Sequence, residues 1–313
     1  MRTVVITGAN AGLGYRTAVA VARTGARVVM ACRSPERAAR AERELVAEVP
    51  GAAVVVLPLD VAEPASIRDF GILFGERVGE LDVLINNAGI TRIPLERNAR
   101  GHELQLATNY LGAFAVTGTL MPYIRPDAPG RIVNVGSLAH RVSRLDLDDI
   151  NWERTPYDRW RSYARSKLAM QIFTMELSRR LQDRGSPVIA LGAHPGLAAT
   201  GIGGYRAALD RSRWLGRWAR KTGEWLLPVE QAARPIVHAA CSEEAASGDY
   251  YGPAGFLEIR GGPGRARVHP AARDAGLGGR LWALSESMTG VRFLSEAAAK
   301  APPRARAAAR SAG

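Results

Sequence analysis

The sequence predicts an α/β fold: a Rossmann-type doubly wound parallel sheet with helices on both faces, in a single domain. Three observations carry that expectation. Short β-branched runs alternate with longer Ala/Leu/Glu/Arg segments of helical period through the first two hundred residues. The runs are almost continuously apolar, as strands buried on both faces require. The first run ends in a glycine-rich turn that leads straight into a helix.

The expected strands cover residues 3–6, 27–31, 53–57, 83–85, 131–135 and 188–191, with helices between them such as 13–24 and 35–49. Past Pro195-Gly196 the texture changes. Residues 201–227 are rich in Arg and Trp, and Trp214, Trp218 and Trp225 sit among Arg211, Arg213, Arg217 and Arg220. Three readings of that segment stand: a lid over the substrate, a membrane-surface helix, or packing against the core. Its position after the sixth strand favours the lid, assigned to 200–227. A helix over 228–241 starts with proline, which helix entries accept. A Gly/Pro-rich connection over 248–265 and an amphipathic segment over 270–289 follow. The folded domain is thus expected to span 1–294. The Ala/Arg tail, 295–313, has no apolar period and is expected to be disordered.

The chain has 313 residues, 47% of them hydrophobic, so a large core is within reach. Cys32 and Cys241 stand far apart with no metal-ligand spacing, so neither a disulfide framework nor a metal site is expected. A reducing cytoplasm fits best. No apolar run reaches bilayer length. The net charge of +12 is scattered, with mild concentrations at 206–221 and in the tail. No nucleic-acid-binding motif accompanies it, so solvated arginine faces explain the charge better than a nucleic-acid partner.

Thr7-Gly8-Ala9-Asn10-Ala11-Gly12-Leu13-Gly14 joins the first strand to its helix. Glycines there let backbone N–H groups approach a pyrophosphate, and the helix N-terminus favours its charge. At the end of the second strand an NAD site needs an acidic residue. The chain has Cys32-Arg33 instead, and a guanidinium pairs with a 2′-phosphate. NADP(H) is therefore the expected cofactor. Tyr163 and Lys167 are four apart on an expected helix, so they share a face. A cation beside a phenol lowers its pKa from about 10 and equips it to exchange a proton.

These motifs in one frame resemble the short-chain dehydrogenase/reductase superfamily, and within it the retinol-dehydrogenase-like branch, which includes relatives of protochlorophyllide reductase and the WW-domain oxidoreductases. The resemblance runs in motif order from Met1 to about Thr200, and more loosely to about Phe293. It implies the following roles. Gly8, Gly12 and Gly14 match the glycine turn, with Asn10 and Leu13 beside them on the cofactor. Asp60-Val61 meets the adenine. Asn87, Ala88 and Gly89, in Asn86-Asn87-Ala88-Gly89, lie along the cofactor. Asn109 holds a proton-relay water, Ser137 binds the reacting oxygen, and Tyr163 is the general acid/base. Lys167 holds the nicotinamide ribose and tunes Tyr163. Pro195, Gly196 and Thr200 match the segment that holds the nicotinamide amide. The insertion Leu147-Asp148-Asp149-Ile150-Asn151-Trp152 is like that of the retinol-type enzymes, whereas Gly136 stands where many relatives have a second serine.

The resemblance implies hydride transfer between NADP(H) and a small-molecule carbonyl or alcohol. An apolar lid suits a lipophilic aldehyde or ketone. Family members often form homodimers through the helices that carry Asn109 and Tyr163. The competing reading is a catalytically idle dinucleotide-binding redox sensor or scaffold. The complete set Asn109, Ser137, Tyr163 and Lys167 argues against it. His194, without metal-like partners, reads as a packing or loop histidine, and Asp146, Asp148 and Asp149 as a solvated surface loop.

Overall fold

The computed structural model describes residues 1–125, 129–197 and 227–294. Eight strands form one sheet in the order β3-β2-β1-β4-β5-β6-β7-β8. They are β1 (Thr3–Thr7), β2 (Arg27–Cys32), β3 (Val54–Pro58), β4 (Val83–Asn86), β5 (Arg131–Val135), β6 (Ile189–Ala193), β7 (Tyr250–Pro253) and β8 (Pro263–Arg265). Every pairing is parallel except the antiparallel β7–β8 pair at the edge. The helices are α1 (Gly12–Ala22), α2 (Pro35–Glu48), α3 (Pro64–Arg77), α4 (Leu104–Leu106), α5 (Gly112–Leu120), α6 (Arg159–Gln182), α7 (Val229–Cys241) and α8 (Ala275–Thr289).

Alternate strand residues face opposite layers. Val4, Ile6, Val28 and Met30 pack with α1, α2 and α7, whereas Val5, Val29, Leu84 and Ile132 pack with α3, α5, α6 and α8. Both faces are therefore covered, which is why the strands read as continuous apolar runs. The strand order reverses direction between β1 and β4, and ligands of such sheets bind at the carboxyl ends beside that switch point.

The six expected strands and the flanking helices are present within one or two residues of their expected bounds. The stretch 248–265 is not a plain connection: it holds β7 and β8. Its glycines hid a strand whose parallel pairing to β6 involves only Gly192–Tyr250 and Ala193–Tyr251. The segment 270–289 is two pieces, a 3₁₀ turn (Pro270–Arg273) and α8, divided by Asp274, whose side chain caps the Leu277 N–H at 3.0 Å. The expected lid, 200–227, lies outside the described residues except for Leu227, as does the tail. Among the described residues no helix is long and apolar enough to cross a membrane.

Candidate active site

The carboxyl edge of the sheet collects the sequence-predicted residues, and the glycine turn comes first. Gly8 has φ +67° and Gly12 has φ +53°, conformations that L side chains rarely adopt. A Cβ on Gly14 would collide with the Gly8 carbonyl oxygen and the Asn87 side chain, so only glycine lets α1 sit this close to β1. Around Gly12 there is open space. Ala11 at the N-cap of α1 offers no side-chain acceptor, and the first turn holds no acidic residue. The Gly8 N–H is spent on the Ala31 carbonyl at 2.8 Å, so the N–H groups left for an anion are those at the start of α1.

The neighbouring loop is bolted to this turn. Thr7 Oγ1 accepts from the Asn87 and Ala88 N–H groups at 3.0 and 2.9 Å, and Asn87 Nδ2 donates to the Thr7 carbonyl at 2.8 Å. Asn86 bridges Thr117 and Asn134. At the end of β2, Arg33 is exposed and lies 3.7 Å from Asp60. Asp60 also accepts from the Ala62 N–H at 3.0 Å, so it shapes the turn after β3. Val61 packs in the core. Cys32 is buried, which raises its thiol pKa to about 11.

Asn109 occupies a π-helical turn (Ala107–Leu111) between α4 and α5. Its Oδ1 accepts from the Ile90 N–H at 2.8 Å, while Nδ2 donates to the Ile90 carbonyl at 2.9 Å and to Ser166 Oγ at 2.8 Å. The wide turn aims a fully buried amide across to the 89–92 loop rather than along its own helix.

Ser137 follows β5 in extended backbone; its Oγ accepts from the Ala139 N–H at 3.2 Å and its side chain also faces Tyr163. Burial raises the Tyr163 pKa; Ser137 and then Arg92 oppose that rise. Lys167 donates to the Val135 carbonyl at 2.9 Å, and burial brings it down to about 8. The spacing argument expected Lys167 to be the cation acting on the phenol. Among the described residues the charge that opposes the burial-driven rise of Tyr163, after Ser137, is Arg92's.

Beyond β6, His194 is fully buried and is more than packing. Its Nε2 contacts Glu258 Oε2 at 2.9 Å, and its Nδ1 accepts from the Gly196 N–H at 3.1 Å. Arg141, from the loop after Ser137, pairs with the same Glu258 carboxylate. Gly196 has φ +70° and lies against the carbonyl groups of Glu258 and Ile259. Thr200 lies outside the described residues. Asp149, expected as a solvated loop carboxylate, is buried and accepts from the Glu153, Arg154 and Thr155 N–H groups, which anchors the insertion. Among the described residues no three His, Cys, Asp or Glu side chains are grouped to hold a metal.

Sequence reasoning missed Arg92, Gln105, Tyr157 and Glu258. The first three surround the loop that continues from Gly89, and that continuity was the available signal. Glu258 had none, since it reaches the site only through β7 and its turn.

A glycine turn open to a pyrophosphate at a topological switch point, with serine, tyrosine and lysine gathered beside it, defines a Rossmann-fold oxidoreductase that works with a nicotinamide dinucleotide on a small molecule. Comparison with known proteins gives the family. Residues 2–208 match the family model described as short chain dehydrogenase, and the chain belongs to that family, in its retinol-dehydrogenase-like branch. It is 38% identical to retinol dehydrogenase 13 of Homo sapiens over 297 residues, covering 93% of this chain and 85% of that protein. Retinol dehydrogenase 12 of Homo sapiens is 34% identical, with 93% and 86% covered. A crystal structure of a protein from Mycobacterium Paratuberculosis, 37% identical, superposes with a TM-score of 0.76 over 94% of this chain and 95% of that one.

Proposed function

We propose that this enzyme transfers a hydride between NADP(H) and a lipophilic carbonyl or alcohol, with Tyr163 as general acid/base. The observation that carries the proposal is the convergence of Ser137, Tyr163 and Lys167 on the edge that the glycine turn leaves open to a dinucleotide.

The residues fit that cofactor. Gly8, Asn10, Gly12, Leu13 and Gly14 hold the pyrophosphate on the N-terminus of α1. Arg33 takes the 2′-phosphate; being exposed, it is free to turn from its 3.7 Å contact with Asp60. Asp60 and Val61 would border the adenine, Asn87, Ala88 and Gly89 the riboses, and Pro195 and Gly196 the nicotinamide amide. When bound, the nicotinamide supplies or accepts the hydride.

The chain's own side chains handle the proton. Ser137 donates a hydrogen bond to the substrate oxygen and stabilises its developing charge. Tyr163 gives that oxygen a proton in reduction and removes one in oxidation. Lys167, whose ammonium burial brings down to about 8, would hold the nicotinamide ribose. Asn109 anchors the adjoining loop through both backbone groups of Ile90 and ties it to Ser166 on α6. The names of the retinol dehydrogenases support a lipophilic substrate.

The test is oxidation of NADPH and of NADH against a graded panel of aldehydes and ketones, beside Tyr163→Phe. NADPH should be preferred. The variant should bind NADPH yet lose turnover by ~10²-fold or more. Equal use of both cofactors removes the NADP(H) assignment, and full turnover in the variant removes Tyr163.

A further inference from the structure

We propose that Arg92 forms an anion-binding subsite beside Tyr163, so that the preferred substrates carry a carboxylate or phosphate as well as the reacting carbonyl. The proposal rests on the reading of Tyr163 as the residue that faces the reacting oxygen. It deepens that reading by adding a charged handle to a lipophilic substrate.

Arg92 is held where a free arginine has no reason to be. Its φ is +54°, a conformation rare for a residue with a side chain, and such strain collects at ligand-binding sites. A buried polar scaffold maintains it. Gln105, fully buried, accepts from the Arg92 N–H at 2.6 Å. Gln105 Nε2 in turn donates to the Tyr157 hydroxyl at 2.8 Å, and that hydroxyl donates to Glu103 at 2.9 Å. Two residues earlier Asn109 grips both backbone groups of Ile90. The loop is fixed from both sides, and the side chain it presents is Arg92.

The guanidinium lies 5.3 Å from the centroid of the Trp160 ring, and Trp160 lies 5.9 Å from the Tyr163 ring. Cation, indole and phenol form one stack that ends on the proposed proton donor. Burial raises the Tyr163 pKa, and the Arg92 charge, after Ser137, opposes that rise. Arg33, Arg125 and Arg141 meet carboxylates, whereas among the described residues Arg92 meets none. Its Nε is out of water with no hydrogen-bond partner, a feature it shares with Arg125 and Arg141; what sets Arg92 apart is that its outer N–H groups meet no carboxylate among the described residues. A planar guanidinium edge left without a partner beside a reaction site matches a carboxylate or phosphate. Trp160 also lines a cavity of about 740 Å³ whose wall carries four arginines against Asp146 and Asp148, which draws anions toward this side.

The experiment compares 4-carboxybenzaldehyde, 4-formylphenyl phosphate and the neutral methyl 4-formylbenzoate with NADPH at low salt. Wild-type enzyme should favour at least one anion over the ester by about tenfold or more in kcat/KM. Arg92→Gln should erase that preference, and Arg92→Lys, which keeps the charge without the fork, should retain part of it. NADPH binding reports that each variant is folded. The anion that Arg92→Gln discriminates against most identifies the group recognised. Absence of a preference in the wild type, or its survival in Arg92→Gln, overturns the proposal. A second readout needs no turnover: calorimetric binding of 4-carboxybenzaldehyde should weaken about tenfold in Arg92→Gln, and unchanged binding overturns the subsite. Failure of all three aldehydes to react counts against the proposed function, and the binding arm then decides Arg92 alone.

Discussion

At the scale of single residues, Gly136 explains a departure that the sequence could only register. Tyr250 lies fully buried behind β5, and a Cβ on Gly136 would run into its hydroxyl. The space that a serine side chain takes in many relatives is filled here by a phenol from β7. That hydroxyl faces Gln171 but makes no hydrogen bond of ordinary geometry. Gly136→Ala should therefore lower stability by about 1–3 kcal/mol through overpacking. Tyr250→Phe in the same chain should recover most of the loss, because it removes the clashing atom and an unpaired polar group. Urea unfolding of both single variants and the double variant checks this; additive effects would show that the two positions do not meet. Ser137, Tyr163 and Lys167 were legible because their chemistry is tied to fixed spacings. The partner of Gly136 was not, because more than a hundred residues separate it from Tyr250.

At the scale of elements, the β-strands and most helices were legible from texture, since burial on both faces leaves a continuous apolar signature. The π turn at Ala107–Leu111 was not, because nothing in its composition separates it from an α-helix. Yet it fixes where Asn109 points. Asn109 makes three hydrogen bonds and has no exposed surface, so Asn109→Ala leaves both backbone groups of Ile90 and the Ser166 hydroxyl short of a partner. The expected cost is about 2–4 kcal/mol from denaturant midpoints, since each lost bond in a buried setting contributes roughly 1 kcal/mol. A loss below about 1 kcal/mol would mean that the 89–92 loop is held mainly by Gln105 and Tyr157. The strands β7 and β8 escaped for a different reason. Their role is set by which edges they cover, and glycine and proline there serve the close turn at 254–262 rather than a connection without structure.

At the scale of the whole molecule, the far edge of the sheet is tied to the site through buried histidines. His140 donates through Nδ1 to the Ser137 carbonyl and packs edge-on against Tyr250, while His194 joins Glu258 to the Gly196 N–H. Burial brings His140 down to about 4, and His194, Arg141 and His269 push in the same direction. Burial also lowers His194, opposed by Glu258. Both histidines are thus neutral in the folded chain at pH values where an unfolded chain, with a histidine pKa of about 6.5, already takes up protons. The stability tied to their neutral form is complete above pH 6.5 and is lost as pH falls toward 4. For His140 alone the loss between pH 8 and pH 5 is about 2 kcal/mol. Urea midpoints across that range should therefore decline well before most carboxylates titrate. His140→Asn keeps a donor for the Ser137 carbonyl but removes the titration, so it should flatten the decline. An equally steep decline in that variant would place the acid sensitivity elsewhere than behind the serine loop.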